Sequence, residues 1–164
     1  MTPNQPGYSD LINEHGVSKG DERFDVLGAL DEASAAIGLA KSYCADEVDR
    51  QRLEGSQRDL SLIMGVIAGF GGGASVQQRL DLLEQEMTVL KRVILNPRKF
   101  ILPGSTTLSA AFSVARTVVR RAERDTVRLA QSQGPIDDAI LQYLNRLSTL
   151  CYLLELKYTD PGAA

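Results

Sequence analysis

Apolar residues recur at steps of three and four in five separate stretches of this chain, and no other pattern constrains the fold as strongly. From about residue 21 to 43 the series is Phe24, Leu27, Leu30, Ala33, Ile37 and Ala40. That spacing lays one apolar stripe along an α-helix. A second series, Val48, Leu53, Leu60, Ile63, Met64, Ile67 and Phe70, closes at Gly71-Gly72-Gly73, and a third, Leu80, Leu83, Met87, Leu90 and Ile94, is ended by Asn96-Pro97. The segment KFILPGS, residues 99–105, ends at Pro103-Gly104 and reads as a loop. Ser105 or Thr106 can cap a long fourth helix that runs to about Gln133, where Gly134-Pro135 breaks it. Residues 136–158 supply a fifth through Ile140, Leu144, Leu147, Cys151 and Leu154. No strand pair and no internal repeat is read. Short links between helices favour antiparallel neighbours, so the expected architecture is all-α, a five-helix up-and-down bundle. Residues 1–20 form an extended arm before it, residues 21–158 the bundle, and residues 159–164 a tail.

At 164 residues the chain has room for one domain. No run approaches the ~20 apolar residues of a membrane helix, and MTPNQPGYSD has no basic or apolar leader, which points to the cytoplasm. Lys and Arg number 18 against 21 Asp and Glu. That balance excludes a general binder of nucleic acid, so any anion site must be local. Cys44 and Cys151 have no pair spacing and read as free core thiols. The single histidine, His15, has no metal-ligand pattern around it, and no Ser/His/Asp or Cys/His set can be assembled. The three glycines at 71–73 lack the following Lys that a phosphate cradle needs.

The fourth helix, VARTVVRRAERDTVRLA, holds the most chemistry. Its core seam is Leu108, Phe112, Ala115, Val119, Ala122 and Thr126, and Arg116, Arg120, Arg124 and Arg128 repeat at i+4 along one flank. With Arg121 the stretch has five arginines to two acids, Glu123 and Asp125. A solvated face, an anion site and ion pairs between subunits each explain such a ridge, since guanidinium suits bidentate recognition of phosphate and carboxylate. Asp31-Glu32, in the middle of the first helix, are suitable partners for it. Asn145, mid-helix in YLNRLS, reads as a partly buried amide that serves either a core hydrogen bond or a purine or ribose contact.

The segments VSKGDERFDVLGALDEASAAIGLA, FILPG, VARTVVRRAER and YLNRLS, in this order and covering about residues 16–154, resemble the PduO-type ATP:cob(I)alamin adenosyltransferases, also called corrinoid adenosyltransferases. The resemblance implies a bundle assembled as a homotrimer, with active sites at the subunit interfaces. It implies transfer of the 5'-deoxyadenosyl group of ATP to cob(I)alamin with release of triphosphate; ATP, Mg2+ and a corrinoid would be bound. A corrinoid reductase and an acceptor enzyme are the implied partners, with no nucleic acid and no membrane. Asp31 would pair with Arg116 of a neighbouring subunit. Arg116, Arg120 and Phe100 would be catalytic, Phe100 as an apolar wedge under the corrin ring. Ser9, Lys19, Arg120, Arg121, Glu123, Arg124 and Asn145 would line the ATP site, Lys19 reaching the triphosphate, and no residue is assigned as a metal ligand.

This sequence departs from that family's pattern in the arm. The family's phosphate-binding segment, roughly Thr-x-Thr-Gly-Asp-x-Gly followed by Thr or Ser, falls on MTPNQPGYS, where Gly7 and Ser9 match and Pro3 and Pro6 remove backbone N–H groups. Ser105 stands for a Gly, Thr149 for an Asp and Leu156 for an Arg. The pattern fits a divergent enzyme with a rebuilt arm, or a non-catalytic paralogue, a trimer that binds corrinoid or nucleotide for delivery or regulation. A purely structural helical oligomer is the third reading.

Overall fold

Four of the five helices begin where a side-chain oxygen takes an otherwise orphaned backbone N–H. The computed structural model, which describes residues 6–71, 73–94 and 101–160, contains β1 (Tyr8–Leu11), β2 (Glu14–Ser18), α1 (Glu22–Tyr43), α2 (Glu47–Ile67), α3 (Gly73–Val93), α4 (Thr107–Gln133) and α5 (Asp138–Lys157). Asp21 caps α1 by accepting from the Arg23 N–H at 2.9 Å, Asp46 caps α2 through Asp49, and Asp137 caps α5 through Ala139. Thr106 and Ser109 form a reciprocal capping box at the start of α4.

Packing closes a ring in the order α1, α2, α3, α5, α4, back to α1. Long-range bonds fix the directions: Gln57 on α2 donates to the Ser34 carbonyl of α1 at 3.0 Å, and Arg121 on α4 pairs with Glu32 of α1. The helices run up, down, up, down, up, as the sequence predicts. The core seam of α4 is in place, with Phe112, Ala115, Val119, Ala122 and Thr126 sealed from solvent and Leu108 half-buried. It meets Leu30, Ala33 and Ile37 of α1 and Tyr143, Leu144, Leu147 and Cys151 of α5, all fully buried. Truncating any of these leucines to alanine is expected to cost ~2–5 kcal/mol. Cys44 and Cys151 are both buried and free, as expected. Among the described residues no helix is long and apolar enough to cross a membrane.

A charged knot holds together the end of the bundle where α5 finishes. Asp49, fully buried, accepts from Lys157 Nζ at 2.6 Å and the Tyr158 hydroxyl at 2.7 Å, and pairs with Arg52. The Tyr158 ring stacks on Phe112 at 5.8 Å, and its carbonyl accepts from Thr106 Oγ1 at 2.9 Å. The entry to α4 is thereby tied to the exit of α5.

Two expectations are corrected. The arm is a strand pair: β1 and β2 run antiparallel, Tyr8 opposite Ser18 and Ser9 opposite Val17, with an irregularity before Leu11. Its order comes from Asp10, which accepts the Gly16 N–H at 2.8 Å, and from Gly16 at φ 65°, a left-handed conformation glycine adopts freely. Leu11 is the one buried residue in it, so no alternation of apolar residues announces it. The second helix stops at Ile67 and not at the three glycines. Gly69, at φ 106°, makes the break, Phe70 lies beyond it and is exposed, and α3 begins at Gly73, ahead of the expected Leu80.

Candidate active site

The arginines of α4 do not form one flank. Each i+4 step on a 3.6-residue helix advances about 40° around the axis, so a row of four winds from one neighbouring helix to the other. Arg116 faces α5, where its Nε lies 3.2 Å from Glu155 Oε2 and its Nη2 3.4 Å from Ser113 Oγ. Arg121 faces α1 and pairs with Glu32, while Arg128 pairs with Asp125 one turn back. Between these, Arg120 and Arg124 are exposed, and among the described residues neither has an ion-pair or hydrogen-bond partner.

Asn145 is exposed and not partly buried as the sequence suggested. Its Nδ2 donates to Glu123 Oε1 at 2.9 Å, which joins α5 to α4 beside the two free guanidiniums. Of the expected ATP-site residues, Arg120, Arg124 and Asn145 are exposed and Glu123 is half-buried beside them, while Arg121 stands toward α1. Asp31 is exposed on α1, with no ion-pair partner among the described residues.

The hairpin residues stand elsewhere along the bundle. Ser9 is half-buried on β1, and Lys19, just after β2, donates its backbone N–H to the Gly7 carbonyl at 2.8 Å and is exposed. They adjoin the start of α1, which meets the last turn of α4 through Glu22 with Ser132 and Asp21 with Gln133. Arg121 sits opposite Glu32, ten residues further along α1. At 1.5 Å per residue the hairpin lies roughly 15 Å along the axis from Arg120 within one protomer. The geometry does not bring Lys19 to Arg120 of the same chain.

Phe100 lies outside the described residues. The segment that follows it is fixed by Thr106 to Tyr158 and by the Asp160 N–H, which donates to Ser105 Oγ at 3.1 Å. There Pro103 and Gly104 line a cleft of about 230 Å³ with Ala110, Ser113, Val114 and Thr117 of α4, beside Arg116 in sequence. A second cleft, of about 270 Å³, opens at the opposite end between Arg23, Ile67, Leu129, Gln133 and Ile140. Among the described residues no group of three His, Cys, Asp or Glu side chains is placed to hold a metal ion. His15 Nδ1 lies 3.3 Å from Asp10 Oδ2 on the surface.

Three positions escaped the sequence reading. Glu155 is the buried partner of Arg116; an acid inside the apolar run LLELK was its signal. Glu14 and Asn13 anchor the hairpin to Arg23 and to the Gly69 carbonyl. Nothing in their spacing marks them, because both contacts depend on the hairpin.

Comparison with known proteins gives this arrangement a family. A structure of a variant PduO-type ATP:corrinoid adenosyltransferase from Lactobacillus reuteri, complexed with cobalamin and ATP, superposes with a TM-score of 0.81 at 29% identity, covering 92% of this chain and 87% of that one. The corrinoid adenosyltransferase PduO of Salmonella typhimurium is 34% identical over 155 residues, which are 90% of this chain and 46% of that protein. A corrinoid adenosyltransferase of Bacillus subtilis is 34% identical over 152 residues, covering 87% of this chain and 76% of the relative. The chain therefore spans about half the length of the PduO relatives it matches. The cobalamin adenosyltransferase family model matches residues 4–158, both strands and all five helices, and the chain belongs to that family.

Proposed function

We propose that this chain transfers the 5'-deoxyadenosyl group of ATP to a reduced corrinoid, cob(I)alamin, with release of triphosphate. The observation that carries the reading is Arg120 and Arg124, two guanidiniums left without a carboxylate on α4, in a chain matched to the family almost end to end. A solvated, unpaired guanidinium is a ready donor fork for phosphate oxygens. In the reaction the Co(I) electron pair attacks the 5'-carbon of ATP, a Co–C bond forms, and the C5'–O bond breaks with its electrons leaving on the triphosphate. Negative charge builds on that leaving group, where Arg120, Arg124 and Lys19 would meet it and Ser9 would add a hydroxyl donor. Glu123, held by Asn145, offers a carboxylate oxygen to a ribose hydroxyl, with Arg121 on the side toward α1. Phe100 would take the place of the lower axial ligand under the corrin ring, which makes reduction of Co(II) easier. The step needs no general acid or base, and His15 has no part in it.

The assembly that suits this chemistry is a homotrimer with its sites between protomers. The ~15 Å between hairpin and Arg120 is met if the hairpin of one protomer lies beside α4 of the next. Arg116 directs its Nε at Glu155, and a guanidinium has five N–H groups, so its terminal nitrogens keep donors for Asp31 of a neighbour. The described residues offer no carboxylate cage for Mg2+, so any Mg2+ would arrive on the ATP phosphates. A cytoplasmic location, a corrinoid reductase and an acceptor enzyme complete the proposal.

The test is to supply cob(I)alamin, excess reductant and Mg-ATP to the purified protein and look for adenosylcobalamin by chromatography and absorbance. Absence of product defeats the transferase reading. A second reading, a trimer that binds corrinoid or nucleotide without turnover, is favoured by Pro3 and Pro6, which withhold N–H groups from a phosphate nest. It predicts saturable ATP or corrinoid binding with no adenosylated product.

A further inference from the structure

The β-hairpin has little of its own to keep it in place. Its strands have four and five residues, Leu11 is its one buried side chain, and a two-stranded hairpin with so small an apolar face is marginal in water. Two contacts moor it to the bundle. Glu14 on β2 receives both terminal nitrogens of Arg23 from α1, at 2.5 and 3.0 Å. The same guanidinium reaches Asp21, the cap of α1, through Nε at 3.0 Å and Nη2 at 2.8 Å, so the fork is held from both sides. Asn13, in the turn, donates its Nδ2 to the Gly69 carbonyl at 3.1 Å, just past the end of α2. The Gly69 φ of 106° is one that a side chain would strain, so the break that ends α2 also fixes this acceptor.

We propose that Arg23 and Asn13 are positioning residues for the nucleotide: they dock the hairpin on the bundle so that Ser9 and Lys19 are preorganised to meet the ATP phosphates. This rests on the functional reading above, in which the hairpin contacts triphosphate. Neither residue touches the nucleotide. An arm with two prolines ahead of Gly7 has fewer backbone donors with which to wrap a phosphate chain and order itself on it. Ordering by protein–protein contacts supplies what the ligand then need not. If only the docked hairpin binds, apparent affinity is the intrinsic affinity multiplied by the docked fraction, and saturating ATP restores docking. Loss of the tethers therefore raises KM for ATP while kcat at saturation stays put, a split that a loss of bundle stability would not give.

The test compares the wild-type protein with the double variant Asn13→Ala, Glu14→Gln, which leaves Arg23 paired with Asp21, the cap of α1. Hydrogen exchange of the amides of residues 8–18 should accelerate by up to about 25-fold, taking up to about fivefold for each exposed contact, with the helices unchanged. The Kd for Mg-ATP by calorimetry, and KM where turnover is measured, should rise about threefold or more, with kcat and corrinoid affinity unaltered. Faster exchange with unchanged ATP affinity would overturn the positioning role. Unchanged exchange would show that the two contacts do not hold the hairpin and would overturn it equally. Wild-type protein that binds ATP but forms no adenosylated product defeats the transferase reading alone; wild-type protein that binds no ATP defeats both.

Discussion

Replacing Arg120 with alanine separates a ligand-binding guanidinium from a structural one, because the structure gives Arg120 nothing to lose in folding. It is exposed on α4 and has no partner among the described residues, so its removal should change unfolding free energy by no more than about 0.5 kcal/mol. A charge-assisted hydrogen bond to a phosphate contributes ~1.5–3 kcal/mol, which is a loss of roughly 10- to 150-fold in ATP affinity. Arg116→Ala should behave in the opposite way. It strands Glu155, whose side chain is 6% exposed, while Arg116 itself is 29% exposed. The cost to stability is then about 2–3 kcal/mol, below that of a fully buried pair because one partner is partly solvated. Calorimetric titration with Mg-ATP, urea unfolding and sedimentation of both variants make up the assay. Should Arg120→Ala bind Mg-ATP like the parent, or dissociate the assembly while its protomers keep their affinity, the phosphate role assigned to the α4 ridge is wrong.

Three other outcomes follow from the charged knot, a half-buried acid and the buried thiols. Asp49→Ala removes the common acceptor of Arg52, Lys157 and Tyr158 and should destabilise the fold by ~3–5 kcal/mol in urea unfolding, with a smaller loss for Tyr158→Phe, about 1 kcal/mol. Burial raises the Asp59 carboxyl above its ordinary 3.8, against the opposing effects of the Tyr143 hydroxyl and Arg79. The folded state then holds that proton to higher pH than the unfolded state, so the group's contribution is most favourable below 3.8 and is lost as pH rises past it. Asp59→Asn has no such proton to lose, and wild type minus variant stability should therefore fall as pH is raised from about 3.5 to 6. Burial pushes the Cys151 thiol up to about 12, so its labelling by a disulfide reagent at pH 8 should be slow and should follow the rate of unfolding.

What could be read from the residues follows the range of the interactions that decide them. The seam from Leu108 to Thr126 was legible because burial of a helix face repeats every 3.6 residues, and five such seams joined by short links leave few arrangements besides a bundle. The hairpin was not legible, since its evidence is a side chain meeting a backbone N–H six residues away, Asp10 with Gly16, and an ion pair nine residues apart, Glu14 with Arg23. Neither has a period. The end of α2 was misplaced for a related reason: several glycines compete to end a helix, and Gly69 prevails where its left-handed backbone also offers Asn13 a carbonyl.

The arginines of α4 divide between partners inside the protomer and open solvent. Spacing alone put four of them in a row; its first member, Arg116, turns to Glu155 of α5, and Arg121, beside the row, meets Glu32 of α1. Those pairs join helix to helix inside the protomer and account for the charge that a core-facing flank can neutralise. Arg120 and Arg124 project from the part of the helix where, among the described residues, no carboxylate meets them, so a group that neutralises them must come from outside the described fold. Cations kept unpaired beside an Asn145–Glu123 bond, in an otherwise acidic chain, have two possible anionic partners, a phosphate and a neighbouring protomer. At saturating Mg-ATP the two separate: phosphate binding protects both side chains from guanidine-modifying reagents in a nucleotide-dependent way, whereas a purely inter-protomer pairing protects them whether or not nucleotide is present. Protection that ignores nucleotide would leave the ridge a structural seam and nothing more.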